Sequence, residues 1–239
     1  MSIKKLWVSM LVIGAAVPAL GATGLTAVES RWLQGMAPVL AYARQTQLPL
    51  DIVVQPQAAD GEAPLALGFV AGRCKLVLTM RGNPQAEATL ARIAPQLHDA
   101  ALELMAAHEL GHCRRHLDGA WHGLPAGFTP TTEPQGWSPA LQQAYRHMRS
   151  TRREEAYGDL VGLSWVRQQQ PQHYHRLHAW LLAERERELL PGSHHDTLAW
   201  LKLAEDPLAL DGDGASSAPT IFAAAQRLWK TGLPASEAD

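Results

Sequence analysis

His108-Glu109-Leu110-Gly111-His112 is an HExxH run. On a helix, residues at this spacing share a face, so the imidazoles of His108 and His112 point the same way and can hold one metal ion. Glu109 then stands beside water at that ion, placed to take its proton. A chain with 11 histidines meets this run by chance often enough that the surrounding elements must carry the argument. Leu97, Ala101 and Leu104 recur at helical spacing and lead straight into His108 and Gly111-His112. The core face of one long helix therefore becomes the face that carries the histidines. Pro95 is placed to open that helix, with Asp99 in its first turn. Arg114, Arg115 and His116 suit its last turn, and Asp118-Gly119 ends it near Leu117.

A catalytic zinc takes three protein ligands and keeps one position open. Two residues compete for the third place. Glu155 begins Glu155-Ala-Tyr-Gly-Asp159 on a later helix, where Glu155, Asp159, Leu163 and Val166 share one face. Carboxylates on an otherwise apolar face are costly unless paired or bound to metal. Asp118 has the spacing used when a glycine turn bends the chain back under the metal, but Arg115 stands where that turn needs glycine. The pattern favours Glu155, and Asp159, one turn on, is placed to accept a hydrogen bond from a ligand histidine. The competing reading of Glu155 and Asp159 is a capping turn with surface ion pairs to Arg152 and Arg153.

The elements that must position these groups are mostly helical. Thr26 to Thr46 reads as an amphipathic helix with Val28, Trp32, Met36, Val39 and Leu40 inward, weakened or kinked at Pro38. Asp51 to Gln55 is a strand, and Leu65 to Ala71 with Cys74 to Met80 form a hairpin around Gly72-Arg73. Ala58 to Pro64 is a polar turn, and Asn83-Pro84 caps a short helix. Gly119 to Ser138 has no periodic run, which beside a candidate site suggests a substrate-binding loop. Ser138-Pro139 starts another helix, and Thr151-Arg-Arg-Glu154 has the form of a capping box that starts the next. Gly158 and Gly162 would let a second helix approach closely. His173 to Leu190 is a helix with Leu177, Trp180 and Leu181 on its apolar side; its alternating charges from Glu184 to Glu188 read as a solvated face. A short helix follows from Leu198 to Ala204, then a turn at Asp211-Gly-Asp-Gly214 and a last helix from Ser217-Ala-Pro219 to near Lys230. The fold class expected is α+β, mostly helical, with a small three-stranded sheet before the HExxH helix.

At 239 residues the chain can bury one sizeable core, and a formal net charge of −2 without a basic stripe excludes a nucleic-acid partner. Lys4-Lys5, the apolar run Leu6 to Leu20 and small residues at Gly21-Ala22 form the layout of a secretory signal over residues 1–22. An uncleaved single membrane anchor is the alternative, since no charge appears from Leu6 to Val28. Either way residues 23–239 form one domain outside the cytoplasm, periplasmic or exported. Cys74 and Cys113 are then free to pair, which would tie the segment of Cys74 to the helix of His112.

HELGH followed by Thr151-Arg152-Arg-Glu-Glu155-Ala-Tyr-Gly-Asp159 resembles the gluzincin metallopeptidases, and is most similar to the HtpX-like peptidases. The resemblance covers roughly residues 100 to 165 and implies a zincin-like fold. It implies one zinc ion per chain on His108, His112 and Glu155, Glu109 as general base and Asp159 supporting a ligand. It extends to Ser193-His194-His195, where the family carries a histidine before proline; here Asp196 takes the proline place. The family's several membrane spans have no counterpart. The expected activity is hydrolysis of peptide bonds in exported or envelope proteins, with a protein or peptide as substrate. His195, with His194 and Tyr157 as alternatives, is the candidate donor to the oxyanion. The other class of function is a non-catalytic zinc-binding or partner-binding domain on a degenerate protease fold.

Overall fold

The computed structural model describes residues 24–55, 57, 62–130, 134–187, 192–211 and 220–237. The segment read as a signal or anchor, residues 1–22, lies outside the described residues. So do most of the polar turn at 58–64, the Gly-Asp-Gly part of the turn at 211–214, and the 217–219 start expected for the last helix.

The first helical stretch is two helices, α1 (Ala27–Gly35) and α2 (Ala37–Gln45). Thr26 and Glu29 close a reciprocal capping box at the start of α1. The break falls at Met36, just before Pro38, which has no N–H to carry the helical ladder through. Trp32, Met36 and Val39 are fully buried, as the apolar spacing requires.

Strands β1 (Leu50–Val54), β2 (Leu65–Val70) and β3 (Arg73–Leu78) make the small sheet, in the order β1-β3-β2. β2 and β3 are an antiparallel hairpin, and β1 runs parallel to β3. The hairpin turn sits one residue earlier than the sequence suggests. Ala71 (φ 51°) and Gly72 (φ 74°) are its two left-handed residues, and Arg73 already pairs with Val70. A two-residue turn with positive φ at both positions matches the twist of the strands. After α3 (Gln85–Ala91), whose first turn Asn83 caps through Gln85 N at 3.0 Å, a single 3-10 turn at Pro95–Leu97 leads into α4 (His98–Leu117).

The capping box expected at Thr151 is not a helix start. Ser138 caps a single helix α5 (Pro139–Gln169) that runs through Thr151 without interruption. Glu154 is free of capping duty because a tertiary partner takes it. It receives Arg115 Nε at 2.8 Å and Arg115 Nη2 at 2.9 Å, with both side chains buried. Arg152 and Arg153 are buried as well, held by Ser236 O and Glu237 of the C-terminal segment. They are therefore not surface partners of Glu155 and Asp159. The chain closes with α6 (Tyr174–Arg187), α7 (Leu198–Leu203) and α8 (Ile221–Gly232).

α4 is the central element. It packs on α5 along one side, and on α1, α2 and β2 along others, while α5 in turn carries α6, α7 and α8. Contacts Arg115–Glu154, Gly111–Gly158 and Leu104–Gly162 run in opposite senses along the two helices, so α4 and α5 are antiparallel. Their closeness depends on glycine. A Cβ on Gly111 would lie 3.1 Å from the Cα of Gly158, and one on Gly162 would lie 2.8 Å from the carbonyl oxygen of Leu104. Cys74 and Cys113 are bonded, with Cα atoms 5.6 Å apart, fixing β3 to α4 beside His112. The architecture is α+β, mostly helical with a three-stranded sheet preceding the helix of the HExxH run. Among the described residues no helix is long and apolar enough to cross a membrane.

Candidate metal centre

The α4–α5 pairing brings the two halves of the site together. His108 and His112 lie one turn apart on the α5-facing side of α4, and Glu155 and Asp159 lie one turn apart on α5. His108 Nε2 and His112 Nε2 are 2.9 Å apart, and each is 3.5 Å from a different carboxylate oxygen of Glu155. Among the described residues, this trio is the group of histidine and carboxylate ligands near enough to share a metal ion. Zinc–ligand bonds of about 2.0–2.1 Å at tetrahedral angles put ligand atoms roughly 3.3–3.4 Å apart; the two nitrogen–oxygen distances lie near that separation, whereas the two nitrogens lie closer, at hydrogen-bond distance from each other. The donor set, two imidazoles and one carboxylate, is one that can hold a metal ion.

Asp159 holds the cluster from behind. Its carboxylate is fully buried and its Oδ1 lies 3.0 Å from His108 Nδ1. That contact calls for a proton on Nδ1 and leaves Nε2 directed toward Glu155. Arg185 of α6 donates to Asp159 through Nε at 2.9 Å and Nη2 at 2.5 Å, and the Thr197 hydroxyl donates at 2.6 Å. Burial disfavours the Asp159 charge, but Arg185 and His108 outweigh it and hold the carboxyl well below the usual carboxylate range. Glu155 behaves likewise: burial opposes its charge, and His108 and His112 keep it ionised. Burial also opposes a charge on His108, yet Asp159 and Glu155 raise its pKa to about 10. A cation placed between these groups is what the cluster favours.

Gly158 is the reason His108 can lie flat against α5. A Cβ there would meet the imidazole at 2.7 to 2.9 Å. His112 is held differently. The ring of Trp121 meets it edge-on at 5.5 Å and stacks on His116 at 4.0 Å, and His116 stacks on Phe69 of β2 at 4.8 Å. The irregular segment after α4 thus returns against the C-terminal side of the site.

A cavity of about 210 Å³ opens beside the cluster, lined by His108, Glu109, Glu155, Asp159 and His195 among others. Burial raises the Glu109 carboxyl above its ordinary value. His195 stands at the rim, its Nε2 3.9 Å from Glu155 and its side chain about one-third exposed, 35%. His194 is exposed beside it. Tyr157 is not at the cavity: its hydroxyl donates to Phe222 O at 3.4 Å and its ring packs on Trp229. Asp118 is at the far end of α4, half-exposed and paired with Arg114 at 2.7 Å.

Two residues of the site escape a reading of the sequence alone. Arg185 sits in the charged run taken as a solvated face, although Leu177, Leu181 and Arg185 share one helical stripe that could have placed it inward. Thr197 looks like the cap of α7, but its side chain makes no cap hydrogen bond because the hydroxyl is spent on Asp159. Comparison with known proteins gives no match to a family model, to a curated protein or to a solved structure.

Proposed function

We propose that the chain is a zinc-dependent peptidase acting on exported or envelope proteins. His108, His112 and Glu155 hold one zinc ion, and Glu109 is the general base. The observation that carries this reading is the convergence of His108, His112 and Glu155, near enough to share one ion, beside a cavity that Glu109 lines. A zinc ion held by His108, His112 and Glu155 would polarise a peptide carbonyl and lower the pKa of a water.

The chain's own groups do the rest. Glu109 takes the proton of the attacking water and passes it to the leaving amine. Asp159 and Arg185 keep His108 aligned. His195, at the rim, is placed to donate to the oxyanion that forms on the carbonyl oxygen. The resemblance to gluzincin peptidases and the zincin-like reading of the fold belong to this same proposal. The Cys74–Cys113 bond agrees with an oxidising compartment and so with export. A structural zinc site would use four protein ligands and need no carboxylate base. Three ligands, an adjoining cavity and Glu109 therefore favour catalysis over the non-catalytic alternative.

The test is zinc content after dialysis, with Glu155→Ala and Asp118→Ala measured side by side. The proposal expects about one zinc per chain in the wild type and in Asp118→Ala, and most of it lost in Glu155→Ala. Loss in Asp118→Ala with retention in Glu155→Ala would contradict it.

A further inference from the structure

Glu103 is a buried carboxylate that the chemistry at the metal cluster does not use. It stands on α4 before His108, about 140° around the helix from it. Its residue is 4% exposed, and it faces a second cavity, of about 240 Å³. That cavity shares no lining residue with the one at the metal cluster. Trp165 Nε1 donates to Glu103 Oε2 at 2.7 Å, and Gln170 Nε2 donates to Oε1 at 3.2 Å. Both oxygens therefore accept from neutral donors. Among the described residues the charge that acts on Glu103 is another acid, Asp99, one turn earlier on α4. Burial pushes the Glu103 carboxyl above its ordinary value, against the two hydrogen bonds and with the help of Asp99. A carboxylate taken out of water without a counter-cation is costly. A bound cation would remove that cost.

The rest of the cavity wall favours the same charge. α2 ends at Gln45 and α5 ends at Gln169, and both residues line it. The C-terminal end of a helix carries partial negative charge. Arg44 and Arg167, the basic residues of these two last turns, do not line the cavity. Arg167 is turned to Asp211 instead, at 2.7 to 3.0 Å. Tyr42 and Trp165 form an aromatic wall, their rings meeting edge to face at 5.5 Å. Aromatic faces attract organic cations.

The donor set narrows the cation. A calcium ion takes six or more oxygens, and the cavity wall holds one carboxylate. Among the described residues, the group of three metal-binding side chains is the one at His108. A guanidinium needs both carboxylate oxygens open to its planar fork, and here each already accepts an N–H. A quaternary ammonium has no proton to give Glu103. A primary ammonium is a compact charge with three donors, which the carboxylate and the side-chain oxygens of Gln45 and Gln169 can meet.

We propose that the cavity between α2, α4 and the end of α5 is a binding site for a primary alkylammonium group, with Glu103 as its counter-charge and Tyr42 and Trp165 as its aromatic wall. The group belongs either to a free amine or to a lysine side chain. The site is independent of the metal centre and of the peptidase reading.

The experiment follows the indole N–H resonance of Trp165, assigned through Trp165→Phe, because that proton lies on the Glu103 carboxylate. The protein is titrated with n-pentylammonium chloride, with 1-pentanol and with sodium chloride. The amine should shift the resonance saturably and bind at least ~10-fold more tightly than the alcohol, and Glu103→Gln should lose at least the same factor. Gln169→Lys supplies an ammonium from the end of α5 and should weaken amine binding likewise, which keeps the test if Glu103→Gln does not fold. Equal binding of amine and alcohol, a response that sodium chloride reproduces, or unchanged amine affinity in Gln169→Lys overturns the proposal. A short peptide carrying lysine, compared with the same peptide carrying norleucine, then separates the two sources. Lysine-dependent binding assigns the site to a polypeptide side chain, and its absence alongside pentylammonium binding assigns it to free amines.

Discussion

Gly158→Ala is the substitution that most sharply separates a metal site from a chance meeting of histidines. The added Cβ would lie 2.7 Å from Cε1, 2.8 Å from Nδ1 and 2.9 Å from Nε2 of His108, about 0.5–0.7 Å inside ordinary contact at 3.4 Å. The ring cannot yield freely, because Asp159 holds its Nδ1 at 3.0 Å and Arg185 and Thr197 hold Asp159. A shift of that size exceeds the ~0.2 Å tolerance of a metal–ligand bond. Zinc affinity should therefore fall by at least the ~10–100-fold typical of a lost supporting contact. Stability changes less. Overpacking costs about 1–3 kcal/mol, and replacing a helical glycine by alanine returns up to about 1 kcal/mol. The control is Gly162→Ala, whose Cβ meets the Leu104 carbonyl oxygen at 2.8 Å, one turn away from the ligands. It should destabilise the metal-free protein at least as much and disturb zinc less. The assays are chelator competition for zinc and thermal unfolding of both metal-free variants. Wild-type zinc affinity in Gly158→Ala, or equal losses in the two variants, would refute the reasoning.

Arg185→Met removes the guanidinium fork from the buried Asp159 carboxylate, leaving His108 and Thr197 as its partners, and should destabilise the protein by up to about 3 kcal/mol in denaturant unfolding, with Arg185→Lys intermediate because it keeps charge but loses the fork. Asp159→Ala should weaken zinc by about 10–100-fold in chelator competition, less than Glu155→Ala, which removes a ligand outright. Replacing Cys74 and Cys113 together by alanine opens a loop of sequence separation 39 and should cost about 4 kcal/mol in the same unfolding assay. An unchanged unfolding midpoint in that double variant would show that the bond contributes nothing to holding α4 against the sheet.

The residues of the candidate site were legible where a local pattern and a tertiary demand coincide. His108 and His112 extend an apolar stripe that had to face the core, and Glu155 with Asp159 broke a similar stripe on α5 with charges that needed partners. The two glycines on α5 announced a close helix contact, and they make it. Features that depend on a partner remote in sequence were misread. Thr151 to Glu154 mimics a capping box, and only the approach of Arg115 and of the C-terminal Glu237 turns it into a buried helix interior. Arg185 looked solvated because its partner Asp159 belongs to another helix. The hairpin register moved by one residue because Ala71 adopts a left-handed conformation that its side chain does not advertise.

Glu109→Gln tests the central claim most directly. Glutamine keeps the shape of the side chain and removes its ability to take a proton. Zinc content and peptide cleavage are measured on the same preparations of wild type and variant. The account predicts about one zinc per chain in both, cleavage of an unfolded protein substrate by the wild type, and loss of that cleavage by several orders of magnitude in the variant. Cleavage by Glu109→Gln near the wild-type rate, or no zinc bound by either protein, would contradict it.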